Sequence, residues 1–427
     1  LGIASFVAGS GFDGTNNVAL YWGQNSFGQG FGENAQQPLA TYCANSNADI
    51  IPMAFLVQMT TGQGQQPVLN FANIQDGCPL FPGTQLIDCS QIGEDIKTCQ
   101  QEFNKTILLS IGGATYTEGG FSSPEAAIQA ANLLWATFGP LRAIPPPPPP
   151  PSPASPSTEP DTIDLDTDLS LTVSALSPVV GESIVDAFSQ DTDIPVQDAA
   201  ASISPDLSAR DDAPLRPFGD AVIDGFDLDF ESYVQNTVPF ANQLRTLMDA
   251  DNLKKYYMTV APQCPYPDAA VGSMLDGGVK FDAVFVQFYN NYCGVQNFVP
   301  DSLIQNNFNF QTWDQWAKTG SANPDVKIFL GVPSGQTGAG SGYKDPAALA
   351  SVIQYSMTFS SFGGVMMWDA SQAHANVGFL DGVKASMSQP VVTMSQPLIP
   401  EAAARRKARR VRRSGRDGII VCVDTVC

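Results

Sequence analysis

Eight short apolar, β-rich runs spread over 427 residues, with helix-like stretches between several of them, predict an α/β fold: a (β/α)8 TIM barrel in a single domain. The runs are VALYWGQ (18–24), DIIPMAFL (49–56), TILLSIGG (106–113), VIDGFDLDFE (222–231), YYMTVAPQ (256–263), AVFVQFYN (283–290), KIFLGVPS (327–334) and GGVMMWD (363–369). Most are nearly continuous in hydrophobicity, the pattern of parallel strands covered on both faces. SPEAAIQAANLLWATF (123–138), VPFANQLRTLMDADN (238–252) and DPAALASVIQYSM (345–357) read as helices. Other gaps show no obvious long helix.

The barrel is expected over 17–140 and 216–385. Between them the rhythm breaks at 141–215. Pro145–Pro151 is an unbroken run of seven prolines, followed by PSPASPSTEP, and residues 143–215 hold 13 acidic groups against one basic group, Arg210. Proline runs extend as polyproline II, and so acidic a composition buries little. The interval reads as a low-complexity insertion before the fourth strand, largely disordered. The rhythm stops again near Lys384. Residues 386–427 contain AAARRKARRVRRSGR (402–416) and read as a basic, disordered tail.

Composition excludes several function classes. The formal charge is −21, and residues 401–427 hold eight Lys/Arg against three Asp/Glu, so the remainder is more acidic still. Such a body repels nucleic acid and anionic membranes but tolerates a neutral polymer. No run approaches ~20 apolar residues, so no membrane span is expected. The single histidine, His374, reads as a loop residue past a strand, which leaves little room for His-based nucleophilic catalysis or a His-rich metal site. None of the eight cysteines forms a C-x-x-C pair, so zinc is not indicated. An even count points to disulfides and an oxidising compartment. The apolar opening LGIASFVAGSGF and the sequon Asn104-Lys105-Thr106 agree with a secreted glycoprotein, one that the basic tail would let associate with a cell wall.

The chemistry concentrates in DGFDLDFE (224–231). On a strand, side chains alternate faces. Asp227, Asp229 and Glu231 then share one face, and Phe226, Leu228 and Phe230 the other. In a barrel the apolar set packs under helices, while the acids line the interior with Glu231 at the C-terminal mouth, where barrel active sites lie. Three stacked acids repel one another when ionised, which raises at least one pKa and suits a general acid. Calcium is a poorer reading, because its ligands usually come from a loop. Asp224 falls off the Asp227–Glu231 face by parity and reads as structural.

The pattern D-G-x-D-x-D-x-E, on Asp224, Gly225, Asp227, Asp229 and Glu231, resembles the signature of glycoside hydrolase family 18. SIGG (Ser110–Gly113) resembles that family's second motif. VALYWGQN (18–25), APQCPYPD (261–268), QFYNNYC (287–293) and GGVMMWDAS (363–371) narrow the resemblance to the plant and fungal class III chitinases, over most of 17–140 and 216–384. The resemblance implies a secreted, monomeric endochitinase that cleaves β-1,4-linked N-acetylglucosamine polymers with retention, without metal or cofactor. Glu231 would be the proton donor, Asp229 would orient the substrate acetamido group, Asp227 would share a proton with Asp229, and Tyr289 would hydrogen-bond the acetamido oxygen. Trp368 would floor the site, with Gln287, Tyr21 and Gly113 lining it. Ser110, Gly112, Asp224 and Gly225 would be structural members of the motifs. Four early cysteines permit three connectivities; the resemblance implies Cys43–Cys99 around Cys78–Cys89, and Cys264–Cys293. Cys422 and Cys427 have no counterpart. The same residues would serve an endo-β-N-acetylglucosaminidase acting on N-glycans, and a non-catalytic chitin-binding barrel is the reading from another class.

Overall fold

The computed structural model describes residues 12, 14–141, 213–302 and 304–391. The proline-rich interval 142–212, the stretch before Phe12 and the tail from 392 lie outside the described residues, and so do the expectations placed on them, including Cys422 and Cys427.

Eight parallel strands close a barrel in chain order: β1 (Asn17–Leu20), β2 (Ile50–Gln58), β4 (Thr106–Gly112), β5 (Gly225–Asp229), β6 (Tyr257–Val260), β7 (Ala283–Gln287), β8 (Lys327–Pro333) and β9 (Phe362–Trp368). Closure is made by β1, which pairs with β9 through Ala19 and Met366 and with β2 through Ala19 and Ile50. A two-residue strand, β3 (Val68–Leu69), adds to β2 antiparallel and stands outside the eight-stave count. All eight predicted runs supply a stave.

The helices are α1 (Leu39–Asn45), α2 (Ser90–Gln101), α3 (Pro124–Phe138), α4 (Thr237–Ala250), α5 (Gly272–Asp276), α6 (Phe310–Thr319), α7 (Pro346–Ser356), α8 (Ala370–Ala375) and α9 (Phe379–Met387). The starts of α3 and α7 follow from their sequence. Ser123 and Asp345 accept the amides of Ala126 and Ala348, and each is followed by proline at the first helical position. These helices and α4 match the predicted ones within two residues. By contrast, α2 and α6 fill gaps where no long helix was evident. In α2 the core-facing apolar residues are only Ile92, Ile96 and Cys99, and the same helix buries Gly93 and Asp95, so its apolar stripe is thin. His374 lies in α8 rather than in a loop, its ring edge-on to Tyr42 at 6.0 Å.

Two cores result. The larger lies between staves and helices and takes Phe226, Leu228 and Phe230 from the β5 segment. Burying each contributes roughly 1.5–3 kcal/mol. The smaller lies inside the barrel and includes Ile50, Leu108, Tyr257, Phe285 and Phe329. Phe12, which precedes the first stave, stoppers this inner core: its ring sits 4.9 Å from Tyr257 and 5.9 Å from Phe329. Among the described residues, three disulfides join Cys43 to Cys99, Cys78 to Cys89, and Cys264 to Cys293. The first ties α1 to α2, and the last ties the loops after β6 and β7.

Candidate active site

The β5 strand carries two acids into the barrel, and its neighbours decide their surroundings. Register places Ser110 of β4 and Thr259 of β6 directly beside Asp227. Because neighbours in register point the same way, both hydroxyls meet the carboxylate. Ser110 Oγ donates to Asp227 Oδ2 at 2.6 Å and Thr259 Oγ1 donates to Oδ1 at 2.6 Å. Tyr21, just past β1, completes the cage by donating its hydroxyl to Oδ2 at 2.7 Å. Asp227 is wholly buried and takes part in no ion pair among the described residues.

One step toward the mouth, Asp229 is 3% exposed and accepts Gln287 Nε2 on Oδ1 at 3.0 Å. Gln287 is itself held by the Ala261 carbonyl at 3.1 Å. Two residues further, Glu231 stands half-buried just beyond the strand end. Tyr289, following β7, is buried near enough for the charges of Asp229 and Glu231 to act on its hydroxyl.

Burial sets the protonation of this column. It raises the pKa of Asp227, against which the hydrogen bonds from Ser110, Thr259 and Tyr21 pull down. It raises Asp229 well above the carboxylate range, and the charges of Glu231, Asp227 and Asp268 push the same way. Glu231 is raised by burial as well. The hydroxyls of Tyr21 and Tyr289 are driven well above 10 by burial and by the neighbouring carboxylates, so both stay protonated and act as donors. The acids therefore titrate as one set that holds protons above the usual range.

The apolar side of the site is an aromatic floor. Trp368 ends β9 and stacks on Phe55 at 5.7 Å with 20° between the planes, while Tyr21 lies 5.6 Å from it. The peptides Ala54–Phe55 and Trp368–Asp369 are cis. Gly113, at φ +78°, carries no side chain against this floor, since a Cβ there would sit 2.6 Å from the Phe55 ring. Its amide donates to the Asp229 carbonyl at 2.7 Å, which ties the SIGG turn to the acid strand.

Asp224 stands apart from this column. It pairs with Lys254 at 2.6 Å and accepts from Gln100 Nε2 and the Ile107 amide, each at 2.8 Å. It therefore fastens the start of β5 to β4, α2 and the α4–β6 loop. Gly225 next to it, at φ +148°, has the Tyr257 backbone where a Cβ would go.

Three participants carry no role in the sequence reading. Thr259 is one of several β-formers in YYMTVAPQ, and only strand register singles it out. Phe55 reads as one more apolar residue in DIIPMAFL. Asp268, within APQCPYPD, accepts the amides of Gln263, Ala270 and Val271, and from there its charge reaches Asp229. Among the described residues no group of three or more His, Cys, Asp or Glu side chains is arranged to hold a metal ion.

The comparisons with known proteins agree with this geometry. The chain is 46% identical over 387 residues to a class III chitinase of Arthroderma benhamiae, covering 91% of this chain and 90% of that one. It is 40% identical over 378 residues to endochitinase 33 of Trichoderma harzianum, covering 88% and 93%. Among solved structures it is similar to the ICChI chitinase of Ipomoea carnea (TM-score 0.57, 21% identity, 87% of this chain and 100% of that one). It is also similar to a xylanase and α-amylase inhibitor protein of Scadoxus multiflorus (TM-score 0.55, 26% identity, 87% and 99%). No family model matches the chain. With 40–46% identity sustained over nine-tenths of two chitinase chains, and a parallel barrel that stacks Asp227, Asp229 and Glu231 toward its mouth, the chain belongs to the class III chitinase family.

Proposed function

We propose that this protein is a secreted endochitinase that cleaves β-1,4 linkages between N-acetylglucosamine units with retention, through an oxazolinium intermediate. The observation that carries the reading is the stacked column of Asp227, Asp229 and Glu231 beside the Trp368 floor. Glu231 is the only one of the three acids with appreciable exposure, and its raised pKa keeps a proton available for the glycosidic oxygen. As that bond breaks, the carbonyl oxygen of the substrate's own acetamido group attacks the anomeric carbon, so no enzyme nucleophile is used. Asp229, pinned by Gln287, accepts the acetamido N–H and offsets the positive charge that develops on the ring. Tyr289, held protonated, donates to the acetamido oxygen and orients it. Asp227 shares the proton balance with Asp229. Water then attacks the anomeric carbon from the side the leaving group vacated, giving its proton to Glu231, and two inversions leave the configuration unchanged. Three disulfides support the secreted setting.

The test is Glu231→Gln assayed on soluble chitooligosaccharides, with product anomers followed by NMR. Turnover is expected to fall by about 10²–10⁴-fold, the usual contribution of a general acid, while calorimetric binding persists. Unchanged turnover overturns the assignment.

A further inference from the structure

A cavity of about 450 Å³ opens on the outer flank of the barrel, along α6 and beneath the β6 loop. Its lining comes from Tyr266 after β6, from the segment 305–309 after β7, and from α6 with the glycine that follows it. The volume lies within the ~300–1,000 Å³ range of small-molecule sites. The lining includes Tyr266, Asn306, Gln311, Thr312, Gln315 and Trp316, and none of its residues is charged. In a chain of net charge −21 that is informative. A bound anion would call for Arg or Lys, a cation for carboxylates, and an apolar ligand for a lining without so many amides. Amide and hydroxyl side chains alongside three aromatic rings, Tyr266, Phe308 and Trp316, match a neutral ligand with both polar edges and apolar faces.

Two polar atoms at this wall lack partners within the protein. Trp316 Nε1 and Asn309 Oδ1 are both buried without a hydrogen bond, an uncommon state for buried polar groups. One is a donor and the other an acceptor, as an acetamido-substituted sugar would require. Gln311, Gln315 and Thr319 recur every four residues on α6, so the polar stripe runs roughly 12 Å along the helix. Tyr266 stands at the upper edge, about one-third exposed, its ring edge-on to Trp313 at 5.3 Å.

We propose that this cavity is a second carbohydrate-binding site, separate from the Glu231 column, that takes a short N-acetylglucosamine segment of the polymer. The ligand class rests on the chitinase reading, whereas the position of the site does not. Occupancy would hold the enzyme on an insoluble surface and would not touch the reacting bond. The experiment compares wild type, Tyr266→Ala and the double variant Gln311→Ala/Gln315→Ala. Adsorption to insoluble chitin and hydrolysis of soluble chitotetraose are measured for each. Both glutamines are exposed on the helix surface, so the double variant keeps its fold even if Tyr266→Ala loosens the loop. Adsorption is expected to weaken about tenfold, or roughly 1.4 kcal/mol, with soluble hydrolysis unchanged within twofold. Adsorption equal to wild type in the double variant overturns the proposal, and so does an equal fall in both readouts. If wild type adsorbs through the cavity yet hydrolyses no soluble oligosaccharide, the flank site stands and the proposed function falls.

Discussion

Replacing Tyr21 by Phe removes one hydroxyl from the Asp227 cage and changes little else. The ring is buried and makes contacts with Trp368 and Phe285 that Phe can keep. The lost interaction is the 2.7 Å hydrogen bond to Asp227 Oδ2. A hydrogen bond to a charged group contributes about 1.5–3 kcal/mol. Because Tyr21 donates to the ionised form, its loss raises the acid's pKa. At 1.36 kcal/mol per unit, the acid limb of kcat/KM against pH should move upward by about one to two pH units. The assay is hydrolysis of a soluble chitooligosaccharide over a pH series, with thermal unfolding followed in parallel. Ser110→Ala, which removes another donor to the same oxygen, should move the limb in the same direction. An acid limb that stays in place in both variants would refute the claim that these hydroxyls set the charge of the column.

The other limb of the profile has its own cause. Burial raises Glu231, and the proton must be present for activity, so kcat/KM should fall only as pH rises through a value above the ordinary glutamate range. The same raised acids bind more protons folded than unfolded, so urea stability should decrease as pH climbs from about 4 through that window. A stability that rises over this window would contradict the assignment. Lys254→Met strands the buried Asp224 carboxylate without its cation; a loss of about 3–5 kcal/mol is expected in urea unfolding, partly restored by adding Asp224→Asn. Opening the Cys43–Cys99 bridge by Cys43→Ser/Cys99→Ser frees a loop with sequence separation 56. By chain entropy this should cost about 4 kcal/mol, read as a lower thermal midpoint with kcat preserved at low temperature.

The legible part of this molecule was what strict alternation and apolar runs encode. DGFDLDFE separates its acids from its aromatics on any strand, and the barrel only needed to supply an inside and an outside. The parity that sets Asp224 off the acid face is equally local, but its partner Lys254 lies in a loop 30 residues later, which no spacing rule connects. Thr259 was illegible because threonine is an ordinary strand residue, and its meaning comes from register with Asp227 on the next stave. Phe55 and Trp368 meet across different strands, so their stacking is a property of closure. Helix α2 was hidden by its sparse apolar face, and Phe12 by lying ahead of the first recognisable run.

The aromatic stopper under the acid strand governs how protons travel. Phe12, Tyr257, Phe285 and Phe329 fill the lower interior, and among the described residues Glu231 is the one acid of the Asp227–Asp229–Glu231 column with appreciable exposure. A proton bound for Asp227 passes Glu231 and Asp229 first. In the proposed cleavage, the proton that leaves the column is then the one nearest solvent, on Glu231.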